Sequence, residues 1–251
     1  MLAFEEAGSP ANKPLILLHG WCCHRGHMKE LMTRLSERHH VIALDLPGHG
    51  ESPLGNVSPS FESFAASICS FIAECQLHQP VLIGHSMGGV ISLVAAAQDP
   101  RLIAGVVNLD GAAPIPASVR DGYRDLFSRI GREGFRAVVA QFIKQAFFLP
   151  FEHGAISEAI VTGMMSHSEG LAMALLKEFP ILQAEPVLKA CQSPLLFIGS
   201  SSPRFDEAAL KKVRPDAWVA RVAVCGHFMQ IFALPQVVAM IEKFITVPKE
   251  S

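Results

Sequence analysis

The chain has 251 residues, half of them hydrophobic and 18% charged. A chain this long and apolar can bury a sizeable core, which excludes intrinsic disorder. A net charge of −2 and a pI near 6.6 leave no basic excess for neutralising phosphates, so nucleic-acid binding is not expected. Pro14–Leu18 is a continuous apolar run, the pattern of a strand buried on both faces. A helical pattern near 26–38 and a second strand at Val41–Leu44 follow. Near 60–78, Phe61, Phe64, Ala65, Ile68, Phe71 and Ile72 recur at helical spacing. Pro80–Ile83 is the next strand, a helix is expected near 87–97, and Gly105–Leu109 is another strand. From about 114 to 186 no strand pattern is present. That interval instead carries helical stretches rich in phenylalanine and methionine, from Tyr123 and Phe127 through Phe147 and Phe148 to Met164, Met165 and Met173. Strand Pro194–Ile198, a helix near 205–213, strand Ala217–Val224 and a helix near 234–246 complete the chain. Strands alternating with helices predict an α/β fold with a parallel sheet covered by helices. The helical interval reads as a lid over the strand ends that walls an apolar pocket, although residue by residue its side chains read as its own core.

Gly84-His85-Ser86-Met87-Gly88 joins a predicted strand to a predicted helix. A G-x-S-x-G pattern is weak alone, but the strand–turn–helix setting gives it a mechanism. The turn is too tight for Cβ atoms on either side, and the serine emerges at a helix N-terminus that favours negative charge. His19-Gly20-Trp21 follows the first predicted strand, and the backbone N–H groups of Trp21 and Met87 are candidate oxyanion donors. His19 itself reads as a brace for its loop. Asp45–Ser52 is a glycine-punctuated turn in which Asp45 is expected to bond backbone, with no catalytic role. His227 follows Gly226 after the last strand, where ligands gather in open α/β sheets, and histidine needs no tuning to act as a base near neutral pH.

These segments together resemble the α/β-hydrolase family over nearly the whole chain. The resemblance implies an α/β-hydrolase fold, a mostly parallel twisted sheet flanked by helices, with the helical lid inserted after the sixth strand. Residues 1–113 and 187–251 would form the core and 114–186 the lid. It also implies that Ser86 is the nucleophile, His227 the general base, and Trp21 and Met87 the oxyanion hole. The chain departs from the common pattern at Gly199-Ser200-Ser201-Ser202-Pro203, where most relatives carry the acid. Asp110, ending the strand beside the nucleophile strand, is the preferred acid; Asp206 reads better as the start of a helix.

Cys22-Cys23-His24-Arg25-Gly26-His27 offers soft ligands, but no second Cys/His group closes a tetrahedral metal site. Cys22 and Cys23 read instead as small apolar groups near the pocket mouth. The expected function is serine-hydrolase cleavage of a small carboxylic ester, thioester or lactone, with no cofactor. One alternative is a cofactor-independent dioxygenase that cleaves an N-heteroaromatic ring with a His227/Asp110 dyad. Those enzymes share a Trp-Cys pair after the first His-Gly, here Trp21-Cys22, but their elbow reads His-Ser-His-Gly where this chain has His85-Ser86-Met87-Gly88. A non-enzymatic binder using the lid pocket is the other alternative. No apolar run reaches the roughly 18–20 residues needed to cross a bilayer, the N-terminus carries no signal pattern, and the six cysteines lie in or beside apolar segments. A cytoplasmic protein with a small-molecule substrate and no membrane or nucleic-acid partner is therefore expected.

Overall fold

Each apolar run expected to be a strand is one. The computed structural model describes residues 1–247. Seven strands form one sheet: β1 (Phe4–Ala7), β2 (Pro14–Leu18), β3 (His40–Leu44), β4 (Val81–His85), β5 (Gly105–Leu109), β6 (Leu195–Gly199) and β7 (Trp218–Arg221). Their spatial order is β1-β3-β2-β4-β5-β6-β7, and every neighbouring pair is parallel except β1 with β3. The helices are α1 (Lys29–Leu35), α2 (Phe61–Glu74), α3 (Met87–Gln98), α4 (Ala117–Glu133), α5 (Phe135–Phe147), α6 (Ala155–Met164), α7 (Glu169–Ile181), α8 (Ala184–Ala190), α9 (Glu207–Val213), α10 (Met229–Phe232) and α11 (Leu234–Thr246).

Side chains on a strand alternate between faces, so a sheet covered on both sides needs two cores. Ile16, Leu18, Ile42, Leu82, Val106 and Phe197 share one core with α2, α3 and the helices between β5 and β6. Leu15, Leu17, Val41, Ile83, Val107 and Ile198 share the other with α1 and α11. That two-sided burial is why the strands are continuously apolar in sequence. β1 was not among the expected strands. It is an antiparallel edge strand, FEEA, with no fully buried residue, so it lacks the apolar run that marks the others.

The helical interval follows β5, the fifth strand of this chain, and not the sixth. Its helices continue through α8 past the expected boundary at 186, and Leu188 of α8 is buried in the core shared with α3. The insertion is tied to the sheet half by side chains: the Trp21 indole N–H donates to the Ala172 carbonyl (2.9 Å), and Glu178 accepts the Phe61 N–H (3.3 Å). The last strand ends at Arg221, short of the expected Val224. Val224 has φ 49°, which a continuing strand cannot accommodate. Residues 248–251, the end of the expected core segment, lie outside the described residues.

Candidate active site

β4 and β5 run in register with His85 opposite Leu109, so the first residues beyond them are Ser86 and Asp110. The ladder continues one step: the Ser86 N–H donates to Leu109 O (2.8 Å) and the Asp110 N–H to Ile198 O (2.9 Å). Both residues leave ordinary backbone geometry, Ser86 at φ 53°, ψ −115° and Asp110 at φ 56°. Such conformations cost a non-glycine residue of order 1–3 kcal/mol and persist only where packing imposes them. Packing imposes them here. A Cβ on Gly84 would sit 2.2 Å from the Gly88 carbonyl, and one on Gly88 would sit 2.4 Å from Leu18 O at the end of β2. The chain therefore reverses into α3 with Ser86 at its N-cap and Met87 as its first residue, whose N–H lacks an intrahelical acceptor.

The loop after β2 passes beside this turn, since a Cβ on Gly20 would lie 3.3 Å from Ser86 Cβ. His19 braces that loop as expected: its Nδ1 pairs with Gly20 O (2.8 Å), and its Nε2 accepts the Leu46 N–H (3.0 Å). Asp45 likewise bonds backbone, accepting the N–H groups of Arg25 (2.7 Å) and Glu51 (2.9 Å), and it also meets the Arg25 guanidinium.

His227 Nδ1 lies 2.7 Å from Asp110 Oδ2, and both side chains are buried. The other carboxylate oxygen, Oδ1, accepts the N–H groups of Ser200 (3.1 Å) and Arg204 (3.2 Å). The Gly199–Pro203 stretch thus contributes a backbone donor to Asp110, joined by that of Arg204, rather than an acid of its own. Asp206 is not part of this cluster; it caps α9 through the Ala209 N–H (2.9 Å). His227 Nε2 is buried with no hydrogen-bond partner among the described residues. His227, Ser86 and Trp21 line one narrow cavity with Phe142, Phe147, Leu176 and Phe179.

Burial sets the protonation of the pair. It pushes the Asp110 carboxyl up to about 6, against the opposing pull of the Arg204 charge and the N–H donors. Burial, and then the Arg204 charge, hold the His227 imidazole well below its usual 6.5. At neutral pH the pair is therefore a carboxylate and a neutral imidazole. An imidazole whose Nδ1–H is held by a carboxylate presents an unprotonated Nε2 that can take a proton, and the carboxylate stabilises the cation so formed.

Sequence reasoning missed three groups. Glu152, buried in the insertion, accepts the N–H groups of Gly226 (2.9 Å) and Leu149 (2.7 Å). The His227 N–H donates to Phe147 O (2.8 Å), so the insertion grips the histidine loop at two consecutive residues. His85 pairs through Nε2 with the His227 carbonyl (3.0 Å). Arg204 lines the cavity and stacks its guanidinium 4.5 Å from the Phe147 ring centroid. Nothing in the local sequence around Glu152 or Arg204 marks them, because their partners are remote in the chain. Cys22 and Cys23 are packed in the core, and among the described residues no three His, Cys, Asp or Glu side chains cluster as a metal would need.

The model of the Alpha/beta hydrolase family matches residues 15–240. The chain belongs to this family. Among its relatives, this alpha/beta hydrolase is 26% identical over 245 residues to an sn-1-specific diacylglycerol lipase of Xenopus tropicalis, covering 88% of this chain and 74% of that protein. It is 28% identical over 243 residues to the 2-(acetamidomethylene)succinate hydrolase of Mesorhizobium japonicum, covering 91% and 85% of the two chains. The same fold is found in the enol-lactonase of Burkholderia xenovorans LB400, with a TM-score of 0.84 at 16% identity over 98% of this chain and 96% of that one. No helix among the described residues of this family member is long and apolar enough to cross a membrane.

Proposed function

We propose that this alpha/beta hydrolase cleaves a small carboxylic ester, thioester or lactone through an acyl-enzyme on Ser86. The observation that carries the reading is the 2.7 Å contact between His227 Nδ1 and Asp110 Oδ2, with His227, whose Nε2 has no partner among the described residues, lining the same cavity as a conformationally strained Ser86. His227 Nε2 takes the Ser86 hydroxyl proton as Oγ attacks the carbonyl. The backbone N–H groups of Trp21 and Met87 stabilise the resulting oxyanion. The C–O or C–S bond of the leaving group then breaks, and the leaving group takes the proton from His227. Water, deprotonated by His227, attacks the acyl-enzyme and releases the carboxylic acid and Ser86. Asp110 fixes the imidazole tautomer throughout.

The relative named as a diacylglycerol lipase supports ester chemistry for the family member described here. The aromatic and aliphatic lining of the cavity suits an apolar acyl group. Six free thiols, four of them buried, suit a reducing compartment such as the cytoplasm.

A panel of p-nitrophenyl esters of rising chain length, assayed on wild type and Ser86→Ala, tests the reading. The expected result is turnover of short and medium esters by wild type and a loss of about 10⁴-fold or more in the variant. Oxygen uptake with an N-heteroaromatic substrate, together with failure on every ester, would contradict it and favour ring-cleaving dioxygenase chemistry by the His227/Asp110 dyad.

A further inference from the structure

The cavity beside Ser86 is walled by Trp21, Phe142, Phe147, Leu176 and Phe179. Two polar groups break this apolar lining and have no part in the serine mechanism: the Arg204 guanidinium and the Tyr123 hydroxyl. One Nη of Arg204 donates to Ala146 O (2.7 Å), and its guanidinium carbon lies over the Phe147 ring, 4.5 Å from the centroid. No carboxylate forms an ion pair with this side chain among the described residues. Asp110 takes only its backbone N–H, Asp206 is used as the α9 cap, and Glu207 pairs with Arg221. The Nε and the second Nη are therefore spare, and a guanidinium with spare donors presents a fork that matches a carboxylate. Tyr123, the only tyrosine of the chain, stacks on Phe179 with ring centroids 5.6 Å apart. Its hydroxyl has no hydrogen-bond partner among the described residues, and burial pushes its pKa up to about 12, so it remains a donor at neutral pH.

We propose that the substrate itself carries a carboxylate, held by Arg204 and Tyr123 while its ester or lactone carbonyl lies at Ser86. This rests on the serine-hydrolase reading and narrows its substrate class to half-esters and lactones of acids with a second carboxyl group. Arg204 is half-buried at the edge of the cavity, so an anionic group bound there can pair with its spare donors through charge-assisted hydrogen bonds. The same anion offsets the Arg204 charge that opposes protonation of His227, so it assists proton transfer as well as binding.

The test compares mono-p-nitrophenyl glutarate with p-nitrophenyl pentanoate, which match in chain length and differ in the terminal carboxylate. Wild type, Arg204→Gln, Arg204→Lys and Tyr123→Phe are assayed with both. The ratio of the two kcat/KM values is the readout, because any general damage to the site cancels in it. Wild type is expected to favour the glutarate ester, and Arg204→Gln to lower the ratio by about tenfold or more, the size of a lost charge-assisted hydrogen bond. Arg204→Lys and Tyr123→Phe should lower it less. An unchanged ratio in Arg204→Gln, with both esters slowed together, would make Arg204 a prop for the Asp110 loop and overturn the proposal. So would a wild-type preference for the neutral ester. If neither ester turns over, the serine reading fails by itself, and calorimetric titration of glutarate decides the matter for Arg204. Binding to wild type that weakens about tenfold in Arg204→Gln supports the carboxylate site, and no binding to either overturns it.

Discussion

In the proposed mechanism Asp110 acts in its ionised form, yet it lies in a place that disfavours charge. Its carboxyl is pushed from an ordinary 3.8 up to about 6. The stability associated with the protonated form is present below pH 3.8 and is lost as pH rises through about 6. Asp110→Asn should therefore raise Tm at pH 7.5, and the gain should shrink as pH falls from 6 towards 4, as followed by calorimetry at several pH values. The same substitution should lower kcat by up to about 10⁴-fold, because the amide favours the wrong imidazole tautomer. Asp206→Asn should leave kcat near wild type, since asparagine caps a helix about as well as aspartate. In wild type, kcat/KM should fall as pH drops below about 6, where Asp110 takes up a proton and can no longer stabilise the imidazolium; His227 protonates at lower pH still. A flat profile from pH 8 to 5 would contradict this assignment. Ser86 and His227 were legible in sequence because each sits in a glycine-marked loop at a strand end, and Asp110 because a neighbouring strand ends there. Arg204 and Glu152 were not, since their contacts lie 58 and 74 residues away, to Ala146 and Gly226.

Among the elements, the turn between β4 and α3 leaves the least room for change. Gly84→Ala places a methyl group 2.2 Å from the Gly88 carbonyl, a backbone clash with no side chain to yield, and should cost most of the folded yield. Gly122→Ala, in α4 with nothing within 4 Å of the new Cβ, should instead stabilise by roughly 0.5–1 kcal/mol. Chemical denaturation of the two variants checks the contrast. Glu152 links the insertion to the histidine loop, and Glu152→Ala leaves the N–H groups of Gly226 and Leu149 without their acceptor. The expected cost is about 1–3 kcal/mol for each group left unsatisfied, with kcat falling more than KM changes because His227 loses its anchor. A variant with wild-type kcat would show that the Phe147 carbonyl and His85 suffice. Helices and central strands were readable because burial on one or two faces writes a period into the sequence. β1 was not, since an exposed edge strand pairs through its backbone and needs no apolar pattern.

In the molecule as a whole, Ser86, Asp110 and His227 follow strands of the α/β sheet, and the insertion supplies much of the lining of the cavity beside them. The presence of the insertion was legible from the missing strand pattern between 114 and 186. Which of its side chains meet the cavity was not, because core and pocket residues share one helical spacing. Phe142 and Phe147 come from α5, Leu176 and Phe179 from α7, and all four line the cavity with Ser86. Phe179 also packs on Phe61 and Tyr123, so it is a wall of the cavity backed by other aromatic rings. Phe179→Ala should shift the optimum of the p-nitrophenyl ester series to longer acyl chains, at a stability cost of about 3–5 kcal/mol for a truncated buried ring. An unchanged optimum would mean that the acyl chain leaves by another wall. The central claim, a nucleophilic Ser86 activated by His227, is tested most directly by mapping the adduct of a fluorophosphonate with mass spectrometry. The account predicts stoichiometric labelling of Ser86 in wild type, and labelling that is strongly slowed in His227→Ala. Absence of any adduct on folded wild-type protein, or an adduct on another residue, would contradict it.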